Sequence, residues 1–339
     1  MRVFQIENEW GFDNLRLSTR PDPSPGPGQV LVRIKASSVN FRDLVVPERG
    51  YGSFTGNLPL IPLSDGVGEV VQVGAGVSRV SVGDRVCPLF FQDWISGEPD
   101  LARLTASLGG PIDGTMAELM CLSEQGVSKV PSYLSDEQAA CLPCAALTAW
   151  SALAECSTTR PGDRILVQGS GGVALFALQF AKLMGAHVTV ISSRDAKIER
   201  LRAMGADATI NYREVPEWGR AAREITGGRG FDHILELGGE KTLPQSLRCI
   251  RPGGVLSMIG VLSGSSLSAP LGQVVTRQVR LQGVTVGHRD GFEAMVRMLE
   301  QHRVEPVIDK VFAFSELKEA MGYLKSGAQF GKICISHAN

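Results

Sequence analysis

Gly169, Gly171 and Ala174 stand in the spacing G-x-G-x-x-G/A, between a short apolar run and an amphipathic one. Ile165, Leu166 and Val167 lead into the first glycine; Val173, Leu175, Phe176, Leu178, Phe180, Ala181 and Leu183 follow at helical spacing until Gly185. Such a turn can capture a diphosphate. The first glycine permits the tight turn, the second lets backbone approach the phosphates, and the small third residue lets the helix pack closely. The backbone of Ser170, Gly171, Gly172 and Val173 then offers unpaired N–H groups at the positive end of the helix dipole. Glycine turns made for packing alone carry the same letters, but the place of this one inside a repeating strand–helix unit points to a dinucleotide.

The end of the next strand bears on which dinucleotide. An acid there would accept a ribose 2′-hydroxyl and repel a 2′-phosphate. This chain has Ser192, Ser193 and Arg194, two hydroxyls and a guanidinium suited to a phosphate ester, with Lys197 either adding charge or lying solvated on the following helix. Asp195 reads as the first turn of that helix, where a carboxylate needs no ligand. The stretch predicts NADP(H), and its bland alternative is a helix cap.

The elements that must hold this turn follow from length and pattern. With 339 residues, of which 43% are hydrophobic, the chain is long enough for two cores. A net charge of −1 gives no basic field for nucleic acid or an anionic membrane, and no apolar stretch is long enough to span a bilayer. The start "MRVFQIENEW" carries no secretory pattern, and seven scattered cysteines make no disulfide framework, so a soluble cytoplasmic protein is expected. Residues 1–125 alternate Val- and Ile-rich runs with Gly/Pro turns and predict a small β-barrel. Phe91 to Gly114 reads as a long loop over the cleft, with Phe90, Phe91 and Trp94 as an apolar wall for a substrate. A helical stretch opening at Ser135 leads into 126–303, where strands and helices alternate as in a parallel sheet covered on both faces. The tail, 304–339, is expected to rejoin the barrel.

This order of parts, with "GVGEVVQVGAGVSRVSVGDRV", "LTAWSAL", "GSGGV" and a tail ending "FGKICIS", resembles the medium-chain dehydrogenase/reductase superfamily over essentially the whole chain. Within it the chain looks most like the zinc-independent quinone oxidoreductase-like branch. The resemblance implies an α/β fold, a doubly wound parallel Rossmann sheet beside a GroES-like β-barrel domain. It also implies a homodimer built through the last sheet strand, near Leu281 to Val286. In the alcohol dehydrogenases of the superfamily a Cys, a His and a second Cys hold a catalytic zinc. Here Asn40, Leu63-Ser64-Asp65 and Cys144 stand at those places, and the region that would carry the four cysteines of a structural zinc has none. An amide, a hydroxyl and one thiol do not make such a site, so no metal is expected.

Chemistry then rests on the cofactor and positioned donors. Asn40 either donates its amide to a developing oxyanion or satisfies backbone at a strand end. By the resemblance, Tyr51 stands where enoyl thioester reductases keep a proton donor, though a packing or lid role has equal claim. Thr148 would face the nicotinamide, and Asn211 and Tyr212 would lie by the adenosine phosphate. Gly260, Val261, Leu262, Gly287 and His288 fall at strand ends, where open α/β sheets bind ligands. A lone His such as His288 also serves as a packing or capping residue. The reading is an NADPH-dependent, metal-free oxidoreductase passing hydride to a small apolar electrophile, a quinone or an α,β-unsaturated carbonyl. Its alternatives are an alcohol dehydrogenase or carbonyl reductase of the same superfamily, and a non-catalytic NADPH-binding regulator.

Overall fold

The structure, a computed structural model, describes residues 1–267, 269 and 271–338. The chain folds as two compact units, one of residues 1–147 with 286 onward and one of residues 148–285. Asn339, the last residue of the expected tail, lies outside the described residues.

The first unit is built on the Val/Ile runs. β1 (Arg2–Ile6) and β2 (Leu15–Thr19) form a two-stranded ribbon. The long β3 (Gln29–Val39) pairs antiparallel with β4 (Asp65–Val73), and β4 in turn with β5 (Arg85–Pro88). β6 (Leu119–Ser123) also pairs with β3, and β7 (Val127–Lys129) with β5. Alternate residues of these strands, Val30, Val32, Ile34, Val70, Val86, Leu122 and Val127, share one buried cluster. Gly68 is required here, since a Cβ on it would meet the Arg33 carbonyl at 2.4 Å across the sheet.

In the second unit the strands are β8 (Arg164–Gln168), β9 (His187–Ser192), β10 (Ala208–Asn211), β11 (Phe231–Glu236), β12 (Ile250–Met258) and β13 (Arg280–Gly283). All pair in parallel, in the order β10-β9-β8-β11-β12-β13. That is the doubly wound order of a dinucleotide-binding sheet, reversing between β8 and β11. β11 is buried along its whole length, as a strand covered on both faces must be. β14 (Ile308–Ala313) and β15 (Lys332–Ser336) return the tail to the first unit, where β15 pairs antiparallel with β3.

The boundaries differ from 125/126 and 303/304. Residues 126–147 and 286–303 pack with the first unit: the helix Asp136–Ala139 lies against β3, β4, β14 and β15, and Tyr133 Oη donates to the carbonyls of Leu299 and Val304. The helix Arg289–His302 is thereby tied to the first unit, and Arg289 N and Asp290 N donate to the Trp94 and Ile95 carbonyls. The linking stretch is also not one helix. Pro143 has no N–H to return to Ala139, so the first helix stops there, and two wider π-helical stretches, Leu142–Ala146 and Ser151–Glu155, flank the α-helical turn Leu147–Trp150. The expected loop 91–114 carries a short helix, Leu101–Thr105, capped by the Asp100 side chain.

Candidate active site

In the first unit, the C-terminal end of β3 runs into a turn closed by its own side chain. Asn40 N donates to Asp43 Oδ2 at 2.7 Å, and Asp43 N returns to the Asn40 carbonyl. Asp43 is fully buried and its Oδ1 has no hydrogen-bond partner. Burial pushes its carboxyl up to about 7, against the pull of Arg42 and of the Asn40 N–H. Arg42 is itself pinned: its guanidinium donates to the carbonyls of Leu108 (2.8 Å) and Gly110 (3.1 Å) and lies 4.6 Å over the Phe90 ring.

The start of β4 brings the second group. Leu63 is held at φ 67°, a left-handed conformation costly for a leucine, and it delivers Ser64 and Asp65 fully buried. Ser64 Oγ donates to Asp65 Oδ1 at 2.8 Å and Cys144 N to Oδ2 at 3.1 Å. The break at Pro143 frees that Cys144 N–H from the helical ladder. Burial raises the Asp65 carboxyl, with Lys332 the largest opposing influence. Burial, reinforced by Asp65, pushes the Cys144 thiol well above the ordinary thiol range, so the sulfur stays protonated.

Lys332 completes the cluster. Ile333 is paired with Val39 across the antiparallel β15–β3 ladder, which sets Lys332 beside Asn40. Its Nζ, only 3% exposed as a residue, donates to the Val39 carbonyl (2.8 Å) and to Asn40 Oδ1 (2.6 Å). Tyr51 is half-exposed at the start of the 3-10 turn Gly52–Thr55. Burial raises its phenol, and Arg42, Asp43 and Cys144 are the charged and polar groups it feels. The structure therefore gathers Asn40 and Tyr51 in the first unit with Arg42, Asp43, Asp65, Cys144 and Lys332.

Residues at this place do not fit a zinc ion. Asn40 Oδ1 already accepts from an ammonium and both Asp65 oxygens are engaged, which leaves Cys144 as a single sulfur ligand. A fixed cation among the donors repels a second one. Among the described residues no three His, Cys, Asp or Glu side chains are grouped as a metal would need.

The second unit holds the glycine turn. Gly169 sits at φ 85°, which its residue type allows, and Gly171 precedes the 12-residue helix Gly172–Leu183 as a cap without a side chain. A Cβ at Gly169 or Gly171 would find nothing within 4 Å, so the backbone at these two glycines borders open space of the kind a diphosphate needs. Beneath it, at the reversal of strand order, Gln168 Nε2 donates to Glu236 Oε2 at 2.7 Å. Glu236, wholly buried, also accepts from the backbone N of Gly238 and Gly239 and from the hydroxyls of Thr242 and Ser246. An acid ending an apolar strand was the sequence signal for it.

At the end of β9, Ser192 is buried, Ser193 partly so and Arg194 exposed. Asp195 opens the helix Asp195–Ala203, and its Oδ1 accepts from Asn211 Nδ2 at 2.8 Å. Asn211 Oδ1 accepts from Arg213 N, so both ends of that amide serve the protein, while Tyr212 remains 40% exposed. Lys197 lies on the same helix. Thr148, buried, is the first residue of this unit. Gly260 packs where a Cβ would strike the Leu237 carbonyl at 2.1 Å, and Val261 and Leu262 beyond it are exposed. Gly287 and His288 fall in the first unit instead: His288 Nδ1 accepts from Gly291 N at 2.9 Å as a helix cap, and its ring stands edge-on to Trp94. Phe90 and Phe91 are buried against each other, so they are core rather than an open wall.

A β unit of this kind beside a doubly wound sheet with an open glycine turn is the architecture of dinucleotide-dependent oxidoreductases. Residues 26–132 match the family described as alcohol dehydrogenase GroES-like domain, and residues 172–301 that described as zinc-binding dehydrogenase. A zinc-type alcohol dehydrogenase-like protein of Schizosaccharomyces pombe is 41% identical over 96% of each chain. The acryloyl-coenzyme A reductase of Metallosphaera sedula is 25% identical over 93% of this chain and 94% of its own. A solved structure from Sinorhizobium meliloti 1021 superposes with a TM-score of 0.93 at 41% identity, covering 99% of this chain and 98% of that one. A structure described as an NAD-dependent alcohol dehydrogenase gives a TM-score of 0.90 at 31% identity over the whole of both chains. The chain belongs to the medium-chain dehydrogenase/reductase superfamily, and it is an oxidoreductase. No helix among the described residues is long and apolar enough to cross a membrane.

Proposed function

We propose that this chain is an NADPH-dependent, metal-free reductase of quinones or α,β-unsaturated carbonyls, of the zinc-independent quinone oxidoreductase-like branch. One observation carries the reading: of the side chains standing where the zinc enzymes keep a ligand, Asn40 and Asp65 are already committed inside the protein, to Lys332, Ser64 and the Cys144 backbone, which leaves the Cys144 thiol alone.

When bound, the nicotinamide supplies a hydride. The backbone of Gly169, Ser170, Gly171, Gly172 and Val173 would hold the diphosphate. Ser192, Ser193, Arg194 and Lys197 would hold the 2′-phosphate, with Tyr212 and Asn211 beside it. Gly260, Val261, Leu262, Gly287, His288 and Thr148 would flank the rest. Asp195 is turned onto Asn211, which leaves Arg194 to set the local charge. Asn40 donates its amide to the electrophile's oxygen as negative charge gathers there. After hydride reaches the β-carbon of an enone, Tyr51, whose phenol is raised further above its ordinary range, gives its proton to the carbon next to the carbonyl; for a quinone the proton goes to oxygen. The reading includes a cytoplasmic homodimer through β13, the last strand of the sheet order.

The names of two relatives favour a second reading, alcohol or carbonyl chemistry with NAD. Fluorescence titration with NADPH beside NADH, metal analysis of the purified protein, and loss of NADPH absorbance across a panel of quinones and enones decide between them. Tighter NADPH binding, turnover and no zinc support the proposal. One zinc per chain with alcohol oxidation replaces it by the second reading, and NADPH binding without turnover by a regulatory one.

A further inference from the structure

Asn40 carries an amide that the fold can present in two ways, oxygen or nitrogen toward the strand pair β3–β15. An ammonium only donates, so the atom 2.6 Å from Lys332 Nζ must be Oδ1. The other end, Nδ2, is then fixed by elimination. It is buried and makes no hydrogen bond. The Asp65 carboxylate, which the amide helps to hold in its charged form, lies on that side, with Ser64 Oγ and Cys144 N as the donors in hydrogen-bond geometry on its two oxygens. A buried donor without a well-made hydrogen bond is costly and rare in a folded chain, and it keeps capacity for a ligand acceptor.

Lys332 reaches Asn40 across 292 residues of sequence, and does so from a strand where its side chain is almost wholly buried. Burying an ammonium is costly unless its partners are close to ideal. Those partners are two oxygens at 2.8 and 2.6 Å, with Asp65 and Asp43 as the nearby carboxyls that feel its charge. A cation that only balanced Asp65 would have no need of the Asn40 oxygen.

We propose that Lys332 is the positioning residue of the site: by holding Asn40 Oδ1 it turns Nδ2 toward the place where the electrophile's oxygen gathers charge. This rests on the reductase reading of Asn40 given above. On that reading the lysine meets neither substrate nor cofactor: its charge also steadies Asp65 and Asp43, but its effect on turnover passes through the one amide. In consequence its loss and the loss of the amide are the same loss.

The test uses the full chain as wild type, N40A, N40D, K332M and N40A/K332M, with NADPH and 2-cyclohexenone or 1,4-naphthoquinone. K332M is expected to lower kcat about a hundredfold, the cost of one oxyanion donor, while KM for the acceptor and NADPH affinity stay within about threefold. The double variant is expected to be no slower than N40A alone. A double variant slower than N40A by a further factor close to that of K332M overturns the proposal. The second readout needs no substrate: in ligand-free protein labelled with nitrogen-15, the Asn40 side-chain NH2 pair, assigned by its absence from N40A, shifts or splits in K332M. An unmoved pair overturns the proposal. If wild type reduces no acceptor, the functional reading fails while the NMR pair still decides whether Lys332 orients the amide. Should K332M not fold, N40D keeps an oxygen for Lys332 and lacks Nδ2. It is expected to be as slow as N40A, and an N40D as fast as wild type refutes the assignment.

Discussion

Replacing Asp43 by Asn removes a charge that the fold buries but does not solvate. Asp43 is fully buried; Oδ2 has one donor, the Asn40 N–H at 2.7 Å, and Oδ1 has none. The nearest cation, Arg42, is 3.9 Å away with two of its nitrogens spent on carbonyls. Burial therefore wins, and the carboxyl is pushed from 3.8 up to about 7. For an acid whose folded value lies above its unfolded one, the folded state holds the proton more tightly. The resulting stability is fully present below pH 3.8, falls as pH rises, and is gone above about 7. At about 1.4 kcal/mol per pH unit over that interval the loss comes to about 4 kcal/mol. Asn cannot ionise, yet keeps an oxygen for the Asn40 N–H. D43N and wild type should thus unfold alike near pH 4, and by pH 8 D43N should be the more stable by about 4 kcal/mol, or roughly 8 °C in Tm. Denaturant titrations at fixed ionic strength between pH 4 and 8 measure this. An offset that does not change with pH, or one that grows in favour of wild type, refutes the reasoning.

Two further outcomes follow from the second unit. R194A should weaken NADPH about tenfold and leave NADH unchanged, with the gap narrowing at high salt because the guanidinium is exposed; equal losses for both cofactors in a titration would place the phosphate elsewhere. G171A should leave Tm within about 1 °C, since its backbone is extended and a Cβ meets nothing within 4 Å, yet raise the NADPH dissociation constant at least tenfold; unchanged cofactor binding would show that no diphosphate approaches there.

Much of the fold was legible because its signals are local. The glycine turn, the alternation of apolar strand and amphipathic helix, and the Val/Ile runs each depend on residues a few positions apart, and the parallel sheet and β unit follow from them. What the sequence hid is non-local. The stretch "NFRD" reads as a surface turn, and nothing adjacent says that Asp43 is buried or that Arg42 is spent on Leu108 and Gly110. Lys332 sits in "FGKICIS" as one more polar residue of a final strand; only the β15–β3 register puts it on Asn40. Residues 126–147 and 286–303 carry helical patterns like those of the second unit. Their side chains, Tyr133 among them, face the first, and periodicity does not say which core a helix joins.

Two clusters of buried polar groups, one around Glu236 and one between residues 38 and 55, are built in opposite ways. Glu236 is wholly buried, but Gln168, Gly238, Gly239, Thr242 and Ser246 all donate to it, so the turn at the strand reversal is held by a satisfied network. Between residues 38 and 55 the fold does the reverse: Ser38 Oγ, Asn40 Nδ2, Asp43 Oδ1 and Thr55 Oγ1 are all buried without partners. A chain selected for stability alone would fill such positions with apolar groups of the same shape, at little cost. Keeping them polar, next to a buried lysine that fixes one of them, concentrates unmet hydrogen-bonding capacity in this part of the first unit, as the proposed role of Asn40 requires.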